Sequence, residues 1–155
     1  MYLPQALSVA LYFLQNGLAS RVLFFMVLHN QEAIQGDLDL LIAATSSDVN
    51  YQFCVTGRSG KGKEKEQHFS NWKNNGGLLF IGSQLFASLM KKGKTPLLST
   101  PKKKLLLVVD ECHTYTIPSN ASSKMLEQIP ADYILNMSGK GGIKKDIWPF
   151  NFHVK

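Results

Sequence analysis

Two adjacent carboxylates, Asp110 and Glu111, close the apolar run Leu105 to Val109. Five apolar residues ending in a β-branched pair read as a strand buried on both faces, as parallel strands are. Acids at the C-terminal end of such a strand stand where open α/β sheets bind ligands. Two carboxylates there suit nucleotide hydrolysis. One could hold a magnesium ion, which takes few carboxylates alongside phosphate oxygens and water, and the other could orient the attacking water. Taken alone, an Asp-Glu pair is also an ordinary way for a strand to end before a turn. The longer string Asp110-Glu111-Cys112-His113 narrows the choice, because it has the form of a DExH box.

A second stretch invites the same chemistry. Gly57-Arg58-Ser59-Gly60-Lys61-Gly62-Lys63 fits the first seven positions of the phosphate-binding pattern G-x-x-x-x-G-K, between a possible strand and a possible helix. The eighth position holds Glu64 where a Ser or Thr hydroxyl should meet the metal. A carboxylate there repels the phosphates the loop ought to attract. Gly57, Gly62 and Lys63 are therefore the nucleotide-binding residues of a lesser alternative, and the run GKGKEKEQ reads as a solvated loop.

The elements that must position these groups fit into one domain's worth of chain, 155 residues with 45% apolar and 18% charged residues. That balance describes a globular core, not a disordered segment. A net charge of +6, mostly from lysine, permits a polyanionic partner such as DNA or RNA without establishing one. Cys54 and Cys112 lie far apart with no C-x-x-C spacing, so neither a zinc site nor a disulfide framework is indicated, and a reducing compartment is the simplest fit. The apolar start, Met1 to Leu28, lacks a basic leader and is interrupted by Gln15, Asn16 and Arg21, so neither a signal peptide nor a membrane span is expected.

Local signals predict helices alternating with apolar strands. Pro4 suits a first helical turn, Ala6, Leu7, Ala10, Leu11 and Leu14 mark one face, and Gly17 supplies a stop. Strands are expected over Arg21 to Leu28, Tyr51 to Val55, Leu78 to Ile81, Leu105 onward and Asp132 to Met137. Helices are expected from Gln31 to Ala43, through the stripe Leu85, Phe86, Leu89 and Met90, and from Ser119 to Ile129 before Pro130. Lys91, Lys92, Lys94 and Lys102 to Lys104 flank a Pro-containing linker. The expected fold class is α/β, a mostly parallel sheet with helices on both faces.

From Leu105 to about Phe152 the chain resembles the Swi/Snf-type chromatin-remodelling ATPases of helicase superfamily two, from the DExH box through motif III. DECHTYTIPSNASSKMLEQI is similar to that family's box and the helix after it, and YILNMSGKGG to the strand and S-G-T-P turn of motif III. IKKDIWPFNF resembles the segment that comes next. Upstream, NWKNNGGLLFIGSQLFASLM resembles the W-x-x-x-GG stretch and I-G-Y-E-x-F segment, closest to the ATRX-like branch with the CLASSY-like proteins second, and RVLFFMVL takes the place of motif Ia.

The resemblance implies that residues 1–155 form a partial first RecA-like P-loop NTPase lobe, from motif Ia to motif III, without a second lobe. It implies that Asp110 holds magnesium through water, that Glu111 activates the hydrolytic water, and that His113 couples hydrolysis to motif III, where Ser138 and Gly139 are retained. For the full-length family it implies Mg2+ and ATP as cofactors, double-stranded DNA or chromatin as partner, and the nucleus as location. Departures are specific. Lys140 and Gly141 replace Thr-Pro in motif III, Ser83 and Gln84 replace the tyrosine and acid of I-G-Y-E, and Val27 stands where motif Ia has proline. The family's phosphate-binding loop would lie just before the helix at Pro4. A lobe without that strand is expected to leave an edge or gap in its sheet and to be marginally stable. The readings are then a fragment of a DNA-dependent ATPase inactive by itself, a non-catalytic pseudo-ATPase or interaction module, or a small NTPase using Gly57 to Lys63.

Overall fold

A computed structural model describes residues 3–25, 31–46, 48–54, 62–92, 102–109, 129–137 and 150–154. In chain order these form α1 (Leu3–Gln15), β1 (Arg21–Phe25), α2 (Gln31–Thr45), β2 (Tyr51–Cys54), α3 (Gly62–Asn75), β3 (Gly77–Ile81), α4 (Ser83–Lys92), β4 (Leu105–Val109), β5 (Tyr133–Met137) and β6 (Phe150–Val154). The strands make one six-stranded sheet in the order β2-β3-β1-β4-β5-β6. The first five are parallel, and β6 pairs antiparallel with β5. The fold is therefore α/β, as the sequence predicts.

Burial explains why the central strands lack alternation. All five residues of β1 and of β4 are buried. Val22 and Phe24 point into one core with α1 and α2, while Leu23 and Phe25 point into the other with α3 and α4. A strand covered on both faces has no solvent side to mark with polar residues. Phe80 of β3 stacks between Phe24 and Phe53, with ring centroids 4.8 and 4.7 Å away. On the other face Phe86 meets Phe25 and Phe69 edge to face.

The layering follows the handedness of parallel crossovers, which are right-handed in nearly all sheets. The β1 to β2 connection runs toward one margin, and its helix α2 lies on the first face. The β2 to β3 and β3 to β4 connections run the other way, and α3 and α4 lie on the opposite face. Ile129 and Ala131, which lead into β5, join that second core.

Two expectations are corrected. The run GKGKEKEQ is not loop throughout, because helix α3 starts at Gly62. Phe69 and Trp72, three residues apart, provide the buried face that holds this polar segment in a helix. Ile129 is a bend, not the last helical residue, and Ser119 to Gln128 lie outside the described residues. Strand β6 pairs with β5, Tyr133 with Val154 through Met137 with Phe150, and leaves β2 and β6 as the margin strands. Smaller differences concern ends: β1 is described to Phe25, and α2 continues to Thr45.

Candidate functional site

Ligands of open α/β sheets bind at the carboxyl ends of the strands, where neighbouring connections leave in opposite directions. Here that point lies between β1 and β4, since the chain leaves β1 toward β2 and leaves β4 toward β5. The two strands are in register, Phe25 opposite Val109, and β4 is in register with β5, Val109 opposite Asn136. Val109 immediately precedes the acidic box, and Met137 immediately precedes the glycine turn. Asp110, Glu111, His113, Ser138 and Gly139 themselves lie outside the described residues, as does Gly57. Strands β4 and β5, which precede Asp110 and Ser138, run side by side and end at one edge of the sheet.

Gly62 and Lys63 open α3 and β2 ends at Cys54, while residues 55–61 between them lie outside the described residues. The chemistry of the next position opposes the phosphate-binding pattern. Glu64 is exposed in the first turn of α3, and its Oε1 lies 3.9 Å from His68 Nε2, one helical turn on. A carboxylate stabilises a helix N-terminus, yet it competes with the phosphate such a terminus would bind. The strand before it, β2, is a margin strand of the sheet.

Cys54, at the end of β2, is buried, and its thiol lies 3.7 Å from the Lys65 carbonyl, which can accept its weak hydrogen bond. Burial pushes the thiol pKa up to about 11, against a smaller opposing effect of Lys65. At pH 8 this leaves about a hundredfold less thiolate than an ordinary cysteine has. Cys54 is therefore expected to resist iodoacetamide in the folded protein, with peptide mass mapping as the check. Rapid labelling without unfolding would contradict the burial. Because the folded pKa is raised, the neutral thiol's contribution to stability is complete below pH 9 and is lost as pH rises through 11. The difference in stability between the native protein and Cys54→Ala should fall by roughly 2 to 3 kcal/mol across that window.

At the opposite, amino edge lies a charged group that sequence reading treats only as an interruption of an apolar run. Arg21, the first residue of β1, is 2% exposed. Its Nη2 donates to the Lys103 carbonyl at 2.7 Å, and its guanidinium lies 5.9 Å from the centre of the Trp72 ring. Burial pulls its pKa below the ordinary value, and the Asp132 carboxylate works in the opposite direction. Asp132 Oδ2 also accepts from the Leu105 backbone N–H at 2.8 Å. These contacts tie the starts of β1, β4 and β5 together. A usable signal was present in the sequence, a charged residue of each sign directly preceding or opening an apolar strand.

The same edge carries an open cleft of about 590 Å3 between the ends of α1 and α3 and the segments that lead into β2 and β4. Among the described residues no group of three or more His, Cys, Asp or Glu side chains could hold a metal ion, and no helix is long and apolar enough to cross a membrane. Comparison with protein-family models, curated proteins and solved structures finds no match.

Proposed function

We propose that residues 1–155 are the motif Ia to motif III part of the first lobe of a Swi/Snf-like DNA-dependent ATPase, and that this polypeptide by itself neither binds ATP tightly nor hydrolyses it. The observation that carries the reading is the buried parallel strand β4. It lies at the switch point of the sheet beside β5, with the DExH string directly after one and the Ser-Gly turn directly after the other. In this reading Asp110 holds the magnesium ion through water and Glu111 orients the hydrolytic water, while the whole motor acts on double-stranded DNA or chromatin in the nucleus. The magnesium ion, when bound, supplies charge neutralisation at the β- and γ-phosphates.

The predicted inactivity has a magnitude. A phosphate cradle supplies charge-assisted hydrogen bonds of about 1.5 to 3 kcal/mol each. Without three or four of them binding weakens by roughly 5 to 10 kcal/mol, more than the about 4 kcal/mol between micromolar and millimolar affinity. Magnesium-ATP titration of the purified chain should give no saturation in the micromolar range, and Lys63→Ala should leave that unchanged. Micromolar binding abolished by Lys63→Ala would favour the small-NTPase alternative instead.

One observation favours a second reading, a non-catalytic interaction module that keeps the fold. The place beside β5 is already taken by β6, which becomes the margin strand of the sheet. Transcript sequencing upstream of Met1 separates the two. An in-frame G-x-G-K-[ST] ahead of α1 is the expected result, and stop codons in that frame with no such motif would overturn the ATPase-fragment reading.

A further inference from the structure

We propose that the amino-edge cleft binds a short, extended zwitterion of tri- or tetrapeptide size, held by its two charged ends and its backbone amides. The inference is independent of the nucleotide reading, because the cleft lies at the opposite edge of the sheet from the acidic box.

Its volume, about 590 Å3, falls within the range of small-molecule sites. Its charges are separated by the topology. Asp48 stands in the segment before β2, and Lys102 and Lys104 stand in the segment before β4. Strands β3 and β1 lie between, so the two walls are three strand spacings, about 14 Å, apart. At ordinary ionic strength that exceeds the Debye length of about 10 Å, so the opposite charges do little to neutralise each other. Among the described residues neither Asp48 nor either lysine forms an ion pair. All three are exposed and available.

Four extended residues span about 13 Å, which matches that separation. An ammonium at Asp48 and a carboxylate at the lysines would each find its counter-charge. The stretch between them offers amide-bearing side chains, Asn50 and Asn75, suited to a peptide backbone. Ser20 also lines that stretch. A simple anion fits less well. The ends of α1, α2 and α3 all lie at this edge, and helix C-termini carry partial negative charge. Asp48 adds to it.

The test is calorimetric titration of the 155-residue protein with tetraglycine, N-acetyl-tetraglycine, tetraglycine amide and inorganic phosphate. Saturable binding of tetraglycine is expected, weakened about tenfold or more by capping either end. Asp48→Asn should abolish the effect of acetylation, and the double variant Lys102→Gln/Lys104→Gln that of amidation. All variants change exposed side chains, and circular dichroism checks that they stay folded. Absence of saturable tetraglycine binding, or equal binding of the capped peptides, would overturn the proposal. So would tighter binding of phosphate that improves in Asp48→Asn, which would make the cleft an anion site.

Discussion

Asp132→Ala is expected to destabilise the protein by about 1 to 3 kcal/mol, the usual effect of leaving a buried hydrogen-bond donor without its acceptor. Two losses combine. The Leu105 N–H loses the acceptor it meets at 2.8 Å, and the Arg21 guanidinium, 2% exposed, loses the carboxylate that offsets its desolvation. A second substitution makes the cause visible. Arg21→Met should be milder, about 1 to 2 kcal/mol, because it removes the charge while keeping apolar contact against Trp72. In the Asp132→Ala background the same change should raise stability, since it removes a stranded cation. Asp132→Asn should fall between, keeping an acceptor for Leu105 without the charge. Urea denaturation of the four variants measures this directly. If the double variant is less stable than Asp132→Ala, the two side chains act separately and the charge account fails.

The second large effect concerns backbone contact. Gly77→Ala is expected to cost about 3 kcal/mol or more, for two additive reasons. Gly77 has φ +95°, a conformation that side-chain-bearing residues rarely adopt, and an added Cβ would sit 2.2 Å from the Asn50 carbonyl oxygen. That oxygen accepts the Leu78 N–H at 2.9 Å, so it has no room to retreat without breaking the β2–β3 pairing. Gly77 also supplies the carbonyl to which Trp72 Nε1 donates at 3.1 Å. Two other glycines serve as controls. Gly17 has φ +67° with nothing near an added Cβ, so Gly17→Ala should cost only about 1 kcal/mol. Gly36 lies within α2 with open space around it, and Gly36→Ala should stabilise by about 0.5 to 1 kcal/mol. Thermal or chemical denaturation ranks the three, and an order other than Gly36 above Gly17 above Gly77 would refute the steric account.

Much of the fold was legible because burial leaves a periodic trace. The face Ala6, Leu7, Ala10, Leu11 predicted α1, and those residues are all buried in the first core. The stripe of α4 was equally clear, with Phe86 and Leu89 buried in the second. Strands β1 and β4 were readable as unbroken apolar runs for the reason that makes them central: with both faces covered, no position tolerates exposure. Helix α3 was less legible, since only Phe69 and Trp72 mark its buried side in a strongly polar stretch, and β6 gave no strand signal at all.

The chemistry-bearing residue types and their local order, Asp-Glu after one apolar strand and Ser-Gly after another, are properties of the chain alone. So are the two-faced burial of those strands and the α/β class, because hydrophobic periodicity is a local quantity. Which strands become neighbours is not. Only the tertiary structure put β4 between β1 and β5, set β6 beside β5, and brought Arg21 and Asp132, far apart in sequence, to one edge. Strand pairing and charge compensation depend on distances that loops set, and neither leaves a pattern in the residues that make it.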